Sequence, residues 1–171
     1  LLGPEMRSTG EVLGMASSFG MSFYKAQEGT KQSLPAEGTV LLTIAEKDRN
    51  GDTEETARQL ADLGFKIKAT EGTHKFLENK GIKSELISKL NGSRPNIVDA
   101  IKNNDIQLVI NTPLGKTSQD DDSYIRKSAI KHNIPYITTL AAALATAKGI
   151  AAFKKEKSQV RSLQEYHADI K

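Results

Sequence analysis

From Gly38 onward, short apolar runs and segments of helical period take turns five times, and this alternation limits what the chain can fold into. Thr39-Val40-Leu41-Leu42-Thr43-Ile44 is a nearly continuous apolar run, as in a strand covered on both faces. Residues 52–63 then place Thr56, Leu60 and Leu63 on one helical face, and Gly64 stands where a C′ glycine belongs. A second strand is predicted over 65–70, a helix over 73–79 stopped by Gly81, and a third strand over 84–88. A helix over 96–103, a strand over 106–111, a helix over 120–132 capped by Ser118, and a short strand over 135–138 follow. An alanine-rich helix from about 139 to 154 comes last. Strand and helix alternating with short connections predict an α/β domain: a doubly wound, mainly parallel five-stranded sheet with helices on both faces.

The first thirty or so residues read differently. Ser8 and Glu11 have capping-box spacing, and Val12, Met15, Phe19, Phe23 and Ala26 recur with a helical rhythm. Gly29 and the polar stretch to Pro35 close that segment, so residues 1–34 are expected to form a helical lead-in with its linker and 35–171 the main domain. Leu1-Leu2-Gly3-Pro4 carries no signal pattern and reads as the interior of a longer polypeptide.

Composition excludes several function classes. The longest apolar stretch, near 140–147, is far shorter than the ~20 residues of a bilayer span, so no membrane partner is expected. The absence of cysteine rules out disulfides, thiolate metal sites and a cysteine nucleophile, and fits a cytoplasmic protein. His74, His132 and His167 lack ligand spacing, so no metal site is expected. A net charge of +3, with acids and bases intermixed and only five Phe and four Tyr, does not suit a nucleic-acid binder.

In open parallel sheets, ligands bind beyond the carboxyl ends of the strands. After the first strand come Glu46, Lys47, Asp48 and Arg49; after the second, Thr70-Glu71-Gly72-Thr73 leads directly into a helix. Lys89 and Asn91-Gly92-Ser93 follow the third strand, and Asn111-Thr112-Pro113-Leu114-Gly115-Lys116 the fourth. Cations, hydroxyls, amides and glycines suit an anion. A helix N-terminus offers free N–H groups, Gly72 lets a ligand approach the backbone, Thr70 and Thr73 add hydroxyls, and Lys89 with Lys47 or Arg49 adds counter-charge. Two readings fit: a phosphate site, or plain helix capping by Thr70 with Gly72 as a turn residue.

Catalytic candidates are scarce. No G-x-S-x-G elbow, P-loop or G-x-G-x-x-G is present. Asp120-Asp121-Asp122 reads as the first turn of a helix, His74 as a solvent-facing residue, and Lys154-Lys155-Glu156-Lys157 as a solvated helix end.

Two sets of residues carry a family resemblance. Leu1-Leu2-Gly3-Pro4-Glu5-Met6-Arg7-Ser8-Thr9-Gly10-Glu11-Val12 resembles the close of the second ATP-grasp synthetase unit in the carbamoyl-phosphate synthase large subunit. Lys68-Ala69-Thr70-Glu71-Gly72-Thr73, Pro95-Asn96-Ile97-Val98-Asp99, Val109-Ile110-Asn111-Thr112 and Pro135-Tyr136-Ile137-Thr138-Thr139-Leu140 resemble that subunit's C-terminal allosteric domain, which has the methylglyoxal-synthase-like fold. The resemblance implies a regulatory segment without catalytic residues of its own. The complete enzyme would make carbamoyl phosphate from glutamine or ammonia, bicarbonate and two ATP, with Mg or Mn, for pyrimidine and arginine synthesis. It implies as partners the rest of the large subunit, a small glutaminase subunit, further copies of the enzyme, and nucleotide effectors such as UMP and IMP.

Matched residue by residue, the resemblance puts the effector phosphate at Thr70, Thr73 and Lys89, and the ribose–phosphate region at Asn111 and Thr112. A family lysine falls at Arg49, or at Lys47 if the loop shifts; arginine there keeps the charge but changes reach and geometry. Tyr136 and Thr138 match the domain's share of an ornithine site. Two other readings use the same fold. A methylglyoxal-synthase-type lyase needs an acidic base after the third strand, and residues 88–96 contain no Asp or Glu. A structural oligomerisation module would need none of Thr70, Thr73, Lys89 or Asn111.

Overall fold

The computed structural model describes residues 10–30, 32–89, 94–113, 119–155 and 161–168, except for the side chains of Gln119 and Asp120. Five strands, β1 (Thr39–Thr43), β2 (Lys66–Ala69), β3 (Glu85–Leu86), β4 (Leu108–Asn111) and β5 (Tyr136–Ile137), form one sheet in the order β3-β2-β1-β4-β5. Every neighbouring pair is parallel. Around it stand helices α1 (Phe19–Gly29), α2 (Gly51–Asp62), α3 (Glu71–Asn79), α4 (Ile97–Lys102), α5 (Gln119–Lys131), α6 (Leu140–Lys155) and α7 (Leu163–Ala168).

Alternation along β1 divides the core. Val40, Leu42 and Ile44 point into a cluster with Ala57 and Leu60 of α2, Leu77 of α3, and Ala143, Ala147 and Ile150 of α6. Leu41 points the other way, to Ile97 and Ile101 of α4 and Ile125 and Ala129 of α5. Both faces of the sheet are thus covered, which is why β1 and β4 are buried throughout and carry consecutive apolar residues, Val40-Leu41-Leu42 and Leu108-Val109-Ile110, rather than an alternation.

Local chemistry sets the helix ends. The Asn50 side chain accepts from the backbone N–H groups of Asp52 at 3.0 Å and Thr53 at 3.4 Å, so α2 begins at Gly51. Asn96 and Asp99 form a reciprocal capping box at the start of α4. Gly64 and Gly81 hold positive φ just beyond α2 and α3, as their positions in the sequence predict.

Several expectations need correction. The lead-in helix does not start from Ser8, which lies outside the described residues, nor does it include Val12 and Met15. Ser18 is its cap, accepting from Met21 N–H at 3.3 Å, and residues 11–16 run without helix before it. Lys25 Nζ and the Tyr166 hydroxyl hold that run, both donating to the Met15 carbonyl. The third strand is only two residues long, because it forms the sheet's edge and both residues are exposed. Helix α7 was not expected, although its signal is local: Ser162 Oγ accepts from Glu165 N–H at 3.2 Å while the Glu165 carboxylate accepts from Ser162 N–H at 2.6 Å, a capping box with the usual spacing. The cap proposed at Ser118 lies outside the described residues.

Helix α1 packs on α6 through small residues. A Cβ on Gly20 would lie 2.8 Å from the Lys148 carbonyl, and one on Gly149 would lie 3.3 Å from the Gly20 carbonyl. This close approach stacks Tyr24 on Phe153, with ring centroids 4.2 Å apart, and brings Tyr24 into the core.

Candidate functional site

The β1–β2 register pairs Leu42 with Ala69, so the next residues, Thr43 and Thr70, leave the sheet side by side. The Thr70 hydroxyl donates to Thr43 Oγ1 at 3.3 Å and lies 3.5 Å from Thr73 Oγ1. Thr70 holds the N-cap position of α3 in an extended conformation, yet its side chain makes no cap hydrogen bond. The capping alternative therefore does not describe this hydroxyl, and the first turn of α3 carries no side-chain cap.

Thr73 is fully buried beneath this floor. Its Oγ1 accepts from Ile44 N–H at 2.9 Å and so ties the first turn of α3 to the end of β1. A 3-10 turn (Glu46–Asp48) folds the chain after β1 back over the strand ends, and Arg49 Nε donates to the Ile44 carbonyl at 3.1 Å. The Arg49 guanidinium then lies against Gly72: a Cβ there would be 2.8 Å from Cζ, so the approach needs glycine. Ser88 and Lys89 enter from the end of β3.

Together these residues enclose a cleft of about 400 Å³ above the carboxyl ends of β1, β2 and β3. Arg49 comes from the β1 side, Lys89 from the β3 side, and Thr70 follows the end of the strand between them. Among the described residues, Glu71 is the one carboxylate lining the cleft. Its hydrogen bond to Lys75, 2.7 Å away, holds its pKa below the usual carboxylate value, so it is a poor proton acceptor at neutral pH. Two cations, a hydroxyl floor and an open helix N-terminus make an anion-binding arrangement.

The other sequence-predicted residues sit elsewhere. Lys47 is exposed and does not line the cleft. Thr112 Oγ1 accepts from Ala45 N–H at 2.7 Å, bracing the loop that carries Arg49. Asn111 is buried at the end of β4, where its amide Nδ2 donates to the Tyr136 hydroxyl at 2.6 Å and to Asp122 Oδ1 at 3.3 Å. Burial raises the Tyr136 pKa, the Asn111 hydrogen bond partly opposing it. Thr138 is exposed. Residues 90–93 and 114–118, with Asn91-Gly92-Ser93 and Leu114-Gly115-Lys116, lie outside the described residues.

Sequence reasoning missed Thr43, Ser88 and Leu86 as lining residues. Thr43 and Ser88 are polar positions at strand ends, the signal already used for Thr70, whereas Leu86 carried none. His74 is also not solvent-facing as expected: its Nδ1 lies 2.7 Å from Ser84 Oγ and joins α3 to the start of β3. Lys154 donates to the Leu63 carbonyl at 2.6 Å instead of ending free in solvent.

The sequence matches the MGS-like domain family over residues 52–138. The carbamoyl phosphate synthase large chain of Archaeoglobus fulgidus is 45% identical over 99% of this chain, which spans 16% of that protein. The carbamoyl phosphate synthase large chain, C-terminal section, of Aquifex aeolicus is 42% identical over 98% of the chain, which spans 32% of it. A solved methylglyoxal synthase from Elizabethkingia anophelis NUHP1 gives a TM-score of 0.48 at 16% identity, covering 78% of this chain and 92% of that one.

Proposed function

The chain belongs to the MGS-like domain family, and from that premise we propose that it is the regulatory C-terminal domain of a carbamoyl phosphate synthase large chain, binding a nucleotide effector in the cleft above β1, β2 and β3. The supporting observation is that Arg49, Thr70 and Lys89 line one cleft together with Glu71 and Gly72 at the uncapped start of α3. A phosphate dianion there would accept from the α3 N–H groups, the Thr70 hydroxyl, the Arg49 guanidinium and the Lys89 ammonium. Thr73 and Thr112 act one step back, fixing the backbone on which Thr70 and Arg49 stand.

In the complete enzyme, the catalytic chemistry belongs to the ATP-grasp units, which use ATP with Mg or Mn and ammonia from a small glutaminase subunit. The enzyme would work in the cytoplasm as a homo-oligomer. UMP or IMP would regulate it by binding one of its states more tightly, since equal affinity for both shifts nothing. Tyr136 and Thr138 would contribute this domain's share of an ornithine site. A lyase reading would need an acidic base after the third strand, and residues 88–96 supply no Asp or Glu.

The test measures carbamoyl phosphate synthesis by the full-length enzyme with and without UMP, in wild type and in Thr70→Ala/Lys89→Ala. The proposal expects the ratio of the two rates to fall to one in the double variant. An unchanged UMP response would refute it.

A further inference from the structure

We propose that Val12, Leu13 and Phe19 belong to a docking surface that the rest of the large chain covers in the complete enzyme; this rests on reading the 171 residues as one domain of that protein. Among the described residues six large apolar side chains are exposed, and these three fall within positions 12–19, on the lead-in and the start of α1. Leu13 is 63% and Phe19 67% exposed, more than any of the other four. Single exposed apolar residues are ordinary on a protein surface, whereas their concentration marks a place of contact.

The segment that carries them is anchored. Gly14 is seated on α1: a Cβ there would lie 2.7 Å from the Ala26 nitrogen and would run into the Ser22 carbonyl, so only glycine fits. The Met15 carbonyl accepts from Lys25 Nζ at 3.2 Å and from the Tyr166 hydroxyl at 2.9 Å, which ties the segment to both α1 and α7. Val12 lies beside Gly29, at the far end of α1 from Phe19. Residues 12–15 therefore run along α1 in the opposite direction, on a backbone already ordered. Docking on such a surface costs little further ordering.

Helix α1 uses its other side for the fold. Met21 and Tyr24 are buried, and Gly20 presses on α6. Phe19 is left outside this packing, its ring 6.2 Å from that of Phe23. The length of the relatives points to the occupant: the chain spans 16% of one large chain and 32% of a C-terminal section, so most of each lies beyond it. A neighbour joined to the same polypeptide acts at an effective concentration of about millimolar, above that of a second copy in solution.

The test is thiol labelling of the full-length large chain carrying Leu13→Cys or Phe19→Cys, each followed by mass spectrometry of its own peptide. Both cysteines should react at least about ten-fold more slowly in the native enzyme than in urea, because covered sites react only on opening. The exposure of these residues keeps the substitutions from threatening the fold, and unchanged basal synthesis checks this. Native labelling as fast as in urea at either position overturns the proposal. Protection that disappears on dilution assigns the surface to a second copy and overturns it too. The effector reading is tested separately: a missing UMP response with intact protection strikes that reading and supports this surface.

Discussion

Thr73 Oγ1 lies 2.9 Å from the backbone nitrogen of Ile44, so a hydroxyl in the first turn of α3 satisfies an N–H at the end of β1. Neither group has access to water, since Thr73 is fully buried and Ile44 nearly so. Thr73→Val keeps the shape and removes the acceptor. It should destabilise the chain by about 1–3 kcal/mol, the cost of a buried unsatisfied donor, whereas Thr73→Ser should lose clearly less. Urea unfolding midpoints at constant slope measure this; equal losses in the two variants would contradict the assignment.

Gly72 and Arg49 give a second prediction. A Cβ at residue 72 displaces the end of a flexible side chain, so Gly72→Ala should hardly change the Tm. It should nevertheless weaken phosphate binding, because Arg49 moves off the helix start. A large Tm loss with unchanged binding would show that Gly72 serves the fold alone.

The contact of α1 with α6 is tight for backbone reasons. A side chain at Gly20 meets the Lys148 carbonyl, which cannot turn aside as a side-chain tip can. Gly20→Val should cost about 1–3 kcal/mol and separate Tyr24 from Phe153. Limited proteolysis reads the outcome: cleavage after α1 should accelerate relative to cleavage within the sheet, and an unchanged pattern would argue against the packing.

Tyr136 supplies a pH dependence. Burial raises its folded-state pKa, so the fold favours the neutral phenol. Its contribution to stability is fully present below the ordinary tyrosine value of about 10, and is lost as pH rises through the raised folded value. In a spectrophotometric alkaline titration, Tyr136→Phe should remove phenolate amplitude from the late part of the curve. Loss from the early part would contradict the burial of this phenol.

The sheet was legible because its strands are short apolar runs punctuated by Gly64, Gly81 and turn residues, which act locally. The start of α1 was not: the rhythm through Val12 and Met15 imitates a helix, and only the Ser18–Met21 cap bond distinguishes the true beginning. Of the site, Thr70, Arg49 and Lys89 could be found because parallel topology gathers strand ends. That Thr73 and Thr112 brace backbone rather than line the cleft depends on bonds to Ile44 and Ala45, contacts across 29 and 67 residues that no local pattern encodes.

The most direct measurement is a calorimetric titration with UMP of wild type, Arg49→Ala and Lys89→Ala. If these two cations hold the phosphate, each substitution should weaken binding about ten- to a hundred-fold, the worth of one charged hydrogen bond. Saturable binding of equal affinity in all three proteins would place the nucleotide outside this cleft and contradict the account.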